Sequence, residues 1–220
     1  MGVGFNIYKM KIIIGASGGI GSKLFHHYSP LEGTIGTFCQ NGEESESMYF
    51  LNVASWRETK RFFNRCHLYE SKIVLINCAG VNYDSMAHKA NYAGWGWVID
   101  VNLKGVFNVI RTFLPYMRKQ NYGRIINMSS VVAQMGVMGT SAYAASKAGL
   151  WGMTKAIAAE NKDKGITINN LNLGYMDAGM ALELPVEKRG SIDNIINAID
   201  FLVDSDFVTG TSIDINGGIL

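Results

Sequence analysis

The sequence contains few of the residues that build disulfide frameworks and metal centres. Its three cysteines (Cys39, Cys66 and Cys78) form no C-x-x-C pair, so neither a disulfide framework nor a zinc site is predicted. Its four histidines show no metal-ligand spacing, and no metal site is expected. Cysteines without such patterns are typical of reduced thiols in a cytoplasmic protein.

The sequence also lacks a dominant charge and a membrane-length hydrophobic run. Its 20 Lys and Arg residues nearly balance 18 Asp and Glu residues, so the net charge of +2 gives no electrostatic reason to expect nucleic acid or an anionic membrane as a partner. The longest uncharged stretch, residues 125–146, is interrupted by polar residues and glycine. Residues 1–11 lack the hydrophobic core of a signal peptide. We therefore predict a cytoplasmic protein with no membrane partner.

Hydrophobic residues are abundant, at 48% of the 220 residues, and short apolar runs alternate with helical segments. Strands are predicted at residues 11–15, 34–38, 48–53, 72–77, 123–128, 166–173 and 211–215. Helices are predicted at residues 19–28, 56–69, 92–119, 141–161 and 191–203. This alternation indicates an α/β fold: a single-domain, Rossmann-type, doubly wound parallel sheet of about seven strands with helices on both faces. The domain is expected to span residues 1–220, with residues 1–9 as an N-terminal extension.

The first candidate site is the glycine-rich segment between the first strand and the first helix. Residues 15–21 are Gly-Ala-Ser-Gly-Gly-Ile-Gly, a composition that allows a tight turn close to a pyrophosphate. The helix that follows offers free N–H groups and the positive end of its dipole to that anion. The segment matches neither G-x-G-x-x-G nor the P-loop pattern. A strand–helix turn that simply needs glycine is the alternative.

The second candidate site combines Ser130 with Tyr143 and Lys147. The tyrosine and lysine are one helical turn apart, so both side chains project from the same face. A nearby ammonium favours the phenolate, and we expect it to lower the pKa of Tyr143 from its ordinary value near 10. That shift would suit a general acid or base, while Ser130 could stabilise negative charge on a substrate carbonyl oxygen. The alternative is an unrelated tyrosine with a solvated lysine.

Together these segments resemble the classical short-chain dehydrogenases/reductases. Residues 15–21 are similar to that family's T-G-x-x-x-G-x-G loop, with Ile14 in place of the threonine, and residues 77–80 (Asn-Cys-Ala-Gly) are similar to its N-N-A-G motif. The resemblance implies four catalytic residues, which are Asn102, Ser130, Tyr143 and Lys147. Residues 208–218 resemble the family's closing strand, so the similarity spans nearly the whole chain.

The resemblance implies an NAD(P)H-dependent enzyme that reduces a ketone to a secondary alcohol, with Tyr143 as the general acid. In the family the lysine also holds the nicotinamide ribose, and the asparagine supports a water chain that resupplies the proton. The cofactor contacts that the resemblance implies are Gly15, Ser17, Gly18, Gly19, Ile20, Gly21, Phe38, Asn52, Val53, Asn77, Ala79, Gly80, Tyr143, Lys147, Gly174 and Met176.

Cofactor preference depends on charge near the ribose 2′ position. The second strand is followed by no acidic residue before Glu43, so nothing there repels a 2′-phosphate. However, Gly18 stands where many NADPH-dependent relatives carry Arg or Lys, and Ala178 stands where a threonine often binds the cofactor. Asn52 replaces the usual acid near the adenine. NADP(H) is favoured, with NAD(H) as the alternative.

The sequence does not determine a single substrate. Residues 124–132 and 143–150 most resemble 3-oxoacyl-(acyl carrier protein) reductases, which implies a 3-oxoacyl thioester. Residues 174–190 are shorter than the family's substrate loop, which implies an open site. Such a site would suit a substrate presented on a carrier or a bulky one, and also an enzyme that sequesters its substrate poorly. The predicted partner is a small-molecule or carrier-bound carbonyl substrate. The alternatives are a sugar, a polyketide, a small alcohol, or a regulator that binds the cofactor without turnover. The family also implies a homo-oligomer, either a dimer or a tetramer.

Overall fold

The parallel sheet lies at the centre of the computed structural model, which describes residues 9–31, 33–68, 71–180 and 186–219. Within these residues seven strands are arranged in the order β3-β2-β1-β4-β5-β6-β7, and every neighbouring pair is parallel. The strands are β1 Lys9–Ile14, β2 Thr34–Phe38, β3 Met48–Phe50, β4 Lys72–Asn77, β5 Gly123–Ser130, β6 Ile166–Leu173 and β7 Ser212–Ile215. The predicted doubly wound α/β sheet is confirmed.

Helices connect the strands. They are α1 Gly19–Tyr28, α2 Trp56–Arg65, α3 Tyr92–Ile99, α4 Val106–Gln120, α5 Val132–Met135, α6 Ser141–Asn161 and α7 Ile192–Asp204. A π-helical segment, Asp100–Gly105, joins α3 to α4. None of the helices in the described ranges is both long and apolar enough to span a bilayer.

The two faces of the sheet are packed against separate hydrophobic clusters. On β1, Ile12 and Ile14 contact the cluster that includes Phe113 of α4, while Ile13 contacts the cluster that includes Ile199 of α7. All five of these side chains are at most 1% exposed. Continuous apolar strands are what a sheet buried on both faces requires.

Strand order reverses between β1 and β4, which are neighbours in the sheet. In open α/β sheets this reversal opens a crevice beyond the carboxyl ends of the two strands. Both candidate sites predicted from the sequence follow strand ends on this side of the sheet.

Several predicted boundaries were wrong by a few residues. The helix expected over 56–69 ends at Arg65, because the chain turns through His67 in a left-handed conformation (φ 43°), and residues 69–70 lie outside the described ranges. The third strand ends at Phe50, since the side chain of Asn52 accepts a hydrogen bond from the Ala54 N–H and turns the chain.

The helix expected over 92–119 is interrupted by the π-helical segment, and α5 was not predicted. Lys9, assigned from the sequence to an N-terminal extension, begins β1, and residues 1–8 lie outside the described ranges.

Candidate active site

The glycine-rich turn is built by close backbone contacts. Gly15 has φ +83°, and a Cβ there would lie 2.7 Å from the backbone nitrogen of Ala79, at the end of β4. Gly21 packs directly against the backbone of Gly15. Only glycine fits these two positions, so the turn is tight and brings the N-terminus of α1 over the crevice.

A cavity of about 380 Å³ lies between this turn and the ends of β2 and β4. It is lined by eight of the residues predicted to bind cofactor, namely Gly15, Ser17, Gly18, Phe38, Asn52, Val53, Ala79 and Gly80. Among the described residues around it, none carries a charged side chain, and Gln40 and Asn41 supply amides. An uncharged cleft with a glycine turn and a helix N-terminus fits the adenosine and diphosphate parts of a dinucleotide. We call it the adenosine cavity.

A second cavity of about 380 Å³ lies beyond the ends of β4, β5 and β6. It is lined by seven of the predicted site residues, namely Ile20, Gly80, Ser130, Tyr143, Lys147, Gly174 and Met176. Cys78 and Gly80 line both cavities, so the two meet at the end of β4. We call it the catalytic cavity. Its other polar side chains include those of Asn82, Asp84, Ser129 and Thr140, and the exposed apolar side chains of Val137, Met138 and Met180 form another part of its wall.

Ser130 and Tyr143 both line the catalytic cavity, and the serine hydroxyl lies near enough to affect the pKa of the phenol. Burial in the cavity raises the pKa of Tyr143 to about 12, because a phenolate would be poorly solvated there, while the nearby Ser130 hydroxyl has a smaller effect in the opposite direction. The expected lowering of this pKa was therefore wrong. The Lys147 Nζ atom lies 5.5 Å from the centre of the tyrosine ring, and its hydrogen bond is made elsewhere, to the Met128 carbonyl.

Lys147 is buried, with 4% of its surface exposed. Its Nζ atom donates a 2.7 Å hydrogen bond to the carbonyl oxygen of Met128 on β5. Burial lowers its pKa to about 8, since the ammonium is desolvated, and the neighbouring Cys78 has a smaller effect in the opposite direction. The same burial raises the pKa of the Cys78 thiol to about 12. Lys147 is therefore a cation that loses its charge as the pH rises through about 8.

Asn102 lies in the π-helical segment and is fully buried. Its side chain accepts from the N–H of Val81 and donates to the carbonyl oxygen of the same residue, both at 2.8 Å, and also donates to Ser146 Oγ at 3.2 Å. A Cβ on Gly80 would lie 3.6 Å from Asn102 Oδ1 and 3.7 Å from Lys147 Nζ. Asn102 therefore holds the backbone of Gly80 and Val81, which lies between its own side chain and Lys147.

Four predicted residues line neither cavity: Gly19, Gly21, Asn77 and Asn102. Asn77 is inside the sheet, where its amide donates to Asn127 Oδ1 at 2.8 Å and its own Oδ1 has no partner. Side chains alternate along a strand, so Cys78 faces the cavities while Asn77 faces away. A Cβ on Gly19 would lie 2.5 Å from the Gly179 nitrogen, so this glycine contacts the segment after β6.

The segment after β6 is attached at several points. Met176 pairs with Gly190 in a parallel bridge, in which the Asp177 N–H donates to the Gly190 carbonyl at 2.8 Å. Lys23 of α1 donates to the carbonyl oxygen of Asp177 at 2.9 Å. The middle of the predicted substrate loop, residues 181–185, lies outside the described ranges. The described part connects the wall of the catalytic cavity to the helix that follows the glycine turn.

Sequence analysis missed some of the residues that line these cavities. Asn82 and Asp84 line the catalytic cavity, and Cys78 lines both cavities. They follow β4 directly, and the rule that ligands bind at strand ends beside the reversal of strand order could have identified them. Val137 and Met138 come from the connection between α5 and α6, which carries no motif.

Comparisons with known proteins agree with this geometry. The model of the short chain dehydrogenase family matches residues 9–189. The chain is 32% identical to an acetoacetyl-CoA reductase of Allochromatium vinosum, over 96% of this chain and 98% of that protein. It is 32% identical to a 3-oxoacyl-(acyl-carrier-protein) reductase of Rickettsia bellii, over 95% of each chain, and 37% identical to one of Thermotoga maritima, over 78% of this chain and 76% of that protein. The chain therefore belongs to the short-chain dehydrogenase family and is an NAD(P)-dependent oxidoreductase.

Proposed function

We propose that this enzyme reduces the ketone of a 3-oxoacyl thioester to a secondary alcohol, using Ser130, Tyr143 and Lys147. The observation that carries the proposal is that Ser130, Tyr143 and Lys147 line one cavity, which meets the adenosine cavity at Gly80. Two hydroxyl groups that line the same cavity can both face one carbonyl oxygen. The similarity to reductases of acetoacetyl-CoA and of carrier-bound 3-oxoacyl groups supports the substrate class.

The chemistry of the chain follows from these groups. A nicotinamide held by Tyr143 and Lys147 would supply the hydride. The Ser130 hydroxyl donates a hydrogen bond to the carbonyl oxygen as negative charge develops, and Tyr143 transfers its phenolic proton to that oxygen. Because the pKa of Tyr143 is raised to about 12, the phenol holds its proton throughout the physiological range, as a general acid for reduction must. The Lys147 ammonium stabilises the phenolate that remains, and Asn102 fixes the backbone between Lys147 and itself.

The single domain would hold both the cofactor and the substrate. Gly18 and Ile20 at the start of α1 suit the diphosphate, Tyr143 and Lys147 suit the nicotinamide ribose, and the backbone of Gly174 and Met176 suits the carboxamide. Val137, Met138 and Met180 give the catalytic cavity an apolar part that suits an acyl chain.

NADP(H) is the cofactor that we propose. The described lining of the adenosine cavity has no carboxylate that would repel a 2′-phosphate, and the amide groups of Gln40 and Asn41 can donate hydrogen bonds to it. Affinities for NADPH and NADH measured by nicotinamide fluorescence test this choice. Tighter binding of NADPH is expected, and equal or tighter binding of NADH would contradict it.

We also propose a homo-oligomer in the cytoplasm. The exposed large apolar side chains include Tyr92 and Phe107 around the α3–α4 region, and Phe201 and Phe207 around α7. Two exposed apolar faces allow two different two-fold contacts, which together make a tetramer. Light scattering coupled to gel filtration is expected to give a mass of two or four chains, and a monomer would contradict the proposal.

The assay for the proposed activity uses NADPH with acetoacetyl-CoA and follows loss of nicotinamide absorbance. Turnover is expected with this thioester. A reducible sugar and a small ketone serve as comparison substrates, and faster turnover with either would change the substrate class. Dinucleotide binding without turnover of any carbonyl compound would instead support the regulator that the sequence left as an alternative.

A further inference from the structure

The face of α6 that carries Tyr143 and Lys147 continues one turn further to Trp151. The indole Nε1–H of this tryptophan lies 3.2 Å from Ser129 Oγ and 3.1 Å from Asn172 Oδ1. Ser129 precedes Ser130 on β5, and its hydroxyl donates to the carbonyl oxygen of Lys147 at 3.4 Å. These hydrogen bonds join α6 to β5 and β6 at the level of the proposed catalytic residues.

The same set of hydrogen bonds continues toward the edge of the sheet. Asn172 donates to Asp214 Oδ1 on β7 at 2.9 Å. Ser129, Asn172 and Asp214 are direct neighbours across three parallel strands. Ser129 and Asn172 are buried, so their polar atoms would be costly to leave without partners. We call this set the upper polar row, and it fixes Trp151 in one place on the sheet.

A lower polar row crosses the same strands two residues earlier. It consists of Asn127, Asn170 and Ser212, and it reaches α6 at Thr154, whose hydroxyl lies 2.9 Å from Asn170 Oδ1 and 3.2 Å from Asn127 Nδ2. This row ties the same helix to the same sheet, but it lies about two turns beyond Lys147. It therefore provides a matched comparison for the upper row.

We propose that Trp151 is a positioning residue for carbonyl reduction, because its hydrogen bonds to Ser129 and Asn172 hold α6 in register with the end of β5. The inference rests on the proposed function, since it assumes that Ser130 on β5 acts together with Tyr143 and Lys147 on α6. A phenyl ring at residue 151 would fill much of the same space without donating to either strand. The helix could then shift along the sheet, and displacements of about 1 Å between reacting groups can cost about 100-fold in rate.

The test compares Trp151→Phe with Thr154→Val. Trp151→Phe is expected to lower kcat by about tenfold while the KM for NADPH stays within about twofold. The reason is that Tyr143 and Lys147 lose their alignment with Ser130, while the binding of NADPH is kept. Thr154→Val is expected to lower the thermal midpoint and to keep kcat within about twofold. In Trp151→Phe the alkaline fall of the reduction rate should also move to higher pH, since water admitted beside Lys147 raises its pKa from about 8 toward the ordinary value.

Hydrogen exchange provides a readout that does not depend on turnover. Amides of residues 143–150 are expected to exchange faster in Trp151→Phe than in Thr154→Val. If Trp151→Phe does not fold, Ser129→Ala, which removes one acceptor of the indole N–H, carries the same expectations. Wild-type kcat, pH profile and exchange in Trp151→Phe would overturn the inference, and so would an equal loss of kcat in Thr154→Val. An inactive wild-type protein would overturn the proposed function alone, because the exchange comparison would still show whether Trp151 holds α6.

Discussion

The Nζ atom of Lys147 donates a 2.7 Å hydrogen bond to the carbonyl oxygen of Met128, two residues before Ser130 on β5. This bond brings the cation of α6 to the strand that carries the serine. It also keeps the ammonium in a buried position, and burial lowers its pKa to about 8. Two predictions follow from the charge of this one group.

The first concerns the pH dependence of the reduction. Lys147 is charged below pH 8 and loses its proton as the pH rises through about 8, so the phenolate formed on Tyr143 loses its stabilising neighbour. The rate constant kcat is expected to fall about tenfold per pH unit above that value. Tyr143 has a pKa of about 12 and stays protonated over the same range. Steady-state rates between pH 6 and 10 test this, and a flat profile would contradict the proposed role of Lys147.

The second prediction concerns the free energy of unfolding. The contribution of Lys147 to it is expected to rise with pH, whereas the rate is expected to fall. Folding lowers the Lys147 pKa from 10.5 to about 8, so between these values the unfolded chain binds one more proton than the folded chain. The contribution of Lys147 to the free energy of unfolding therefore rises with pH across this window. Lys147→Met, which removes the buried cation, is expected to be more stable than wild type at pH 7.5, by a margin that shrinks at pH 10. Urea midpoints at the two pH values test this, and a constant margin would contradict it.

The glycine turn offers a pair of neighbouring substitutions. A Cβ on Gly19 would lie 2.5 Å from the Gly179 nitrogen, whereas a Cβ on Gly18 meets its nearest atom at 3.5 Å. Gly19→Ala is expected to lower the free energy of unfolding by about 1–3 kcal/mol, because the segment after β6 must move. Gly18→Ala is expected to change it by less than about 0.5 kcal/mol. Denaturant titrations of both variants check this, and equal effects would show that the contact does not constrain the turn.

Cofactor preference is tested at Cys39, which follows β2 and lines the adenosine cavity. Cys39→Asp places a carboxylate beside the proposed 2′-phosphate, and it is expected to weaken NADPH binding by about tenfold or more while NADH binding is kept. Cys39→Asn has nearly the same shape without the charge and should leave the ratio of the two affinities close to that of wild type. If both variants weaken NADPH binding equally, the shape of the side chain rather than its charge sets the preference between NADPH and NADH.

The parts of the site that depend on local patterns could be predicted from the sequence. Tyr143 and Lys147 share a face because they are one helical turn apart, and Gly15 is confined to a turn that only glycine can form. The continuous apolar strands likewise predicted a parallel sheet that is buried on both faces, although they did not predict the order of the strands.

The parts that depend on contacts between distant segments could not be predicted. The pKa of Tyr143 is raised by burial in a cavity whose walls come from several elements, whereas the sequence showed only the lysine one helical turn away. The bonds of Trp151 reach Ser129 and Asn172, which no motif connects to it. Asn77 is different, because strand alternation with Cys78 would have shown that it faces away from the cavities.

The most direct test of the account is the rate of NADPH oxidation by acetoacetyl-CoA in wild type and in Tyr143→Phe, which removes only the phenolic hydroxyl. The account predicts turnover in wild type and a fall in kcat of about 100-fold or more in the variant, with the Kd for NADPH within about threefold. A variant that retains most of the wild-type rate would contradict the assignment of Tyr143 as the proton donor.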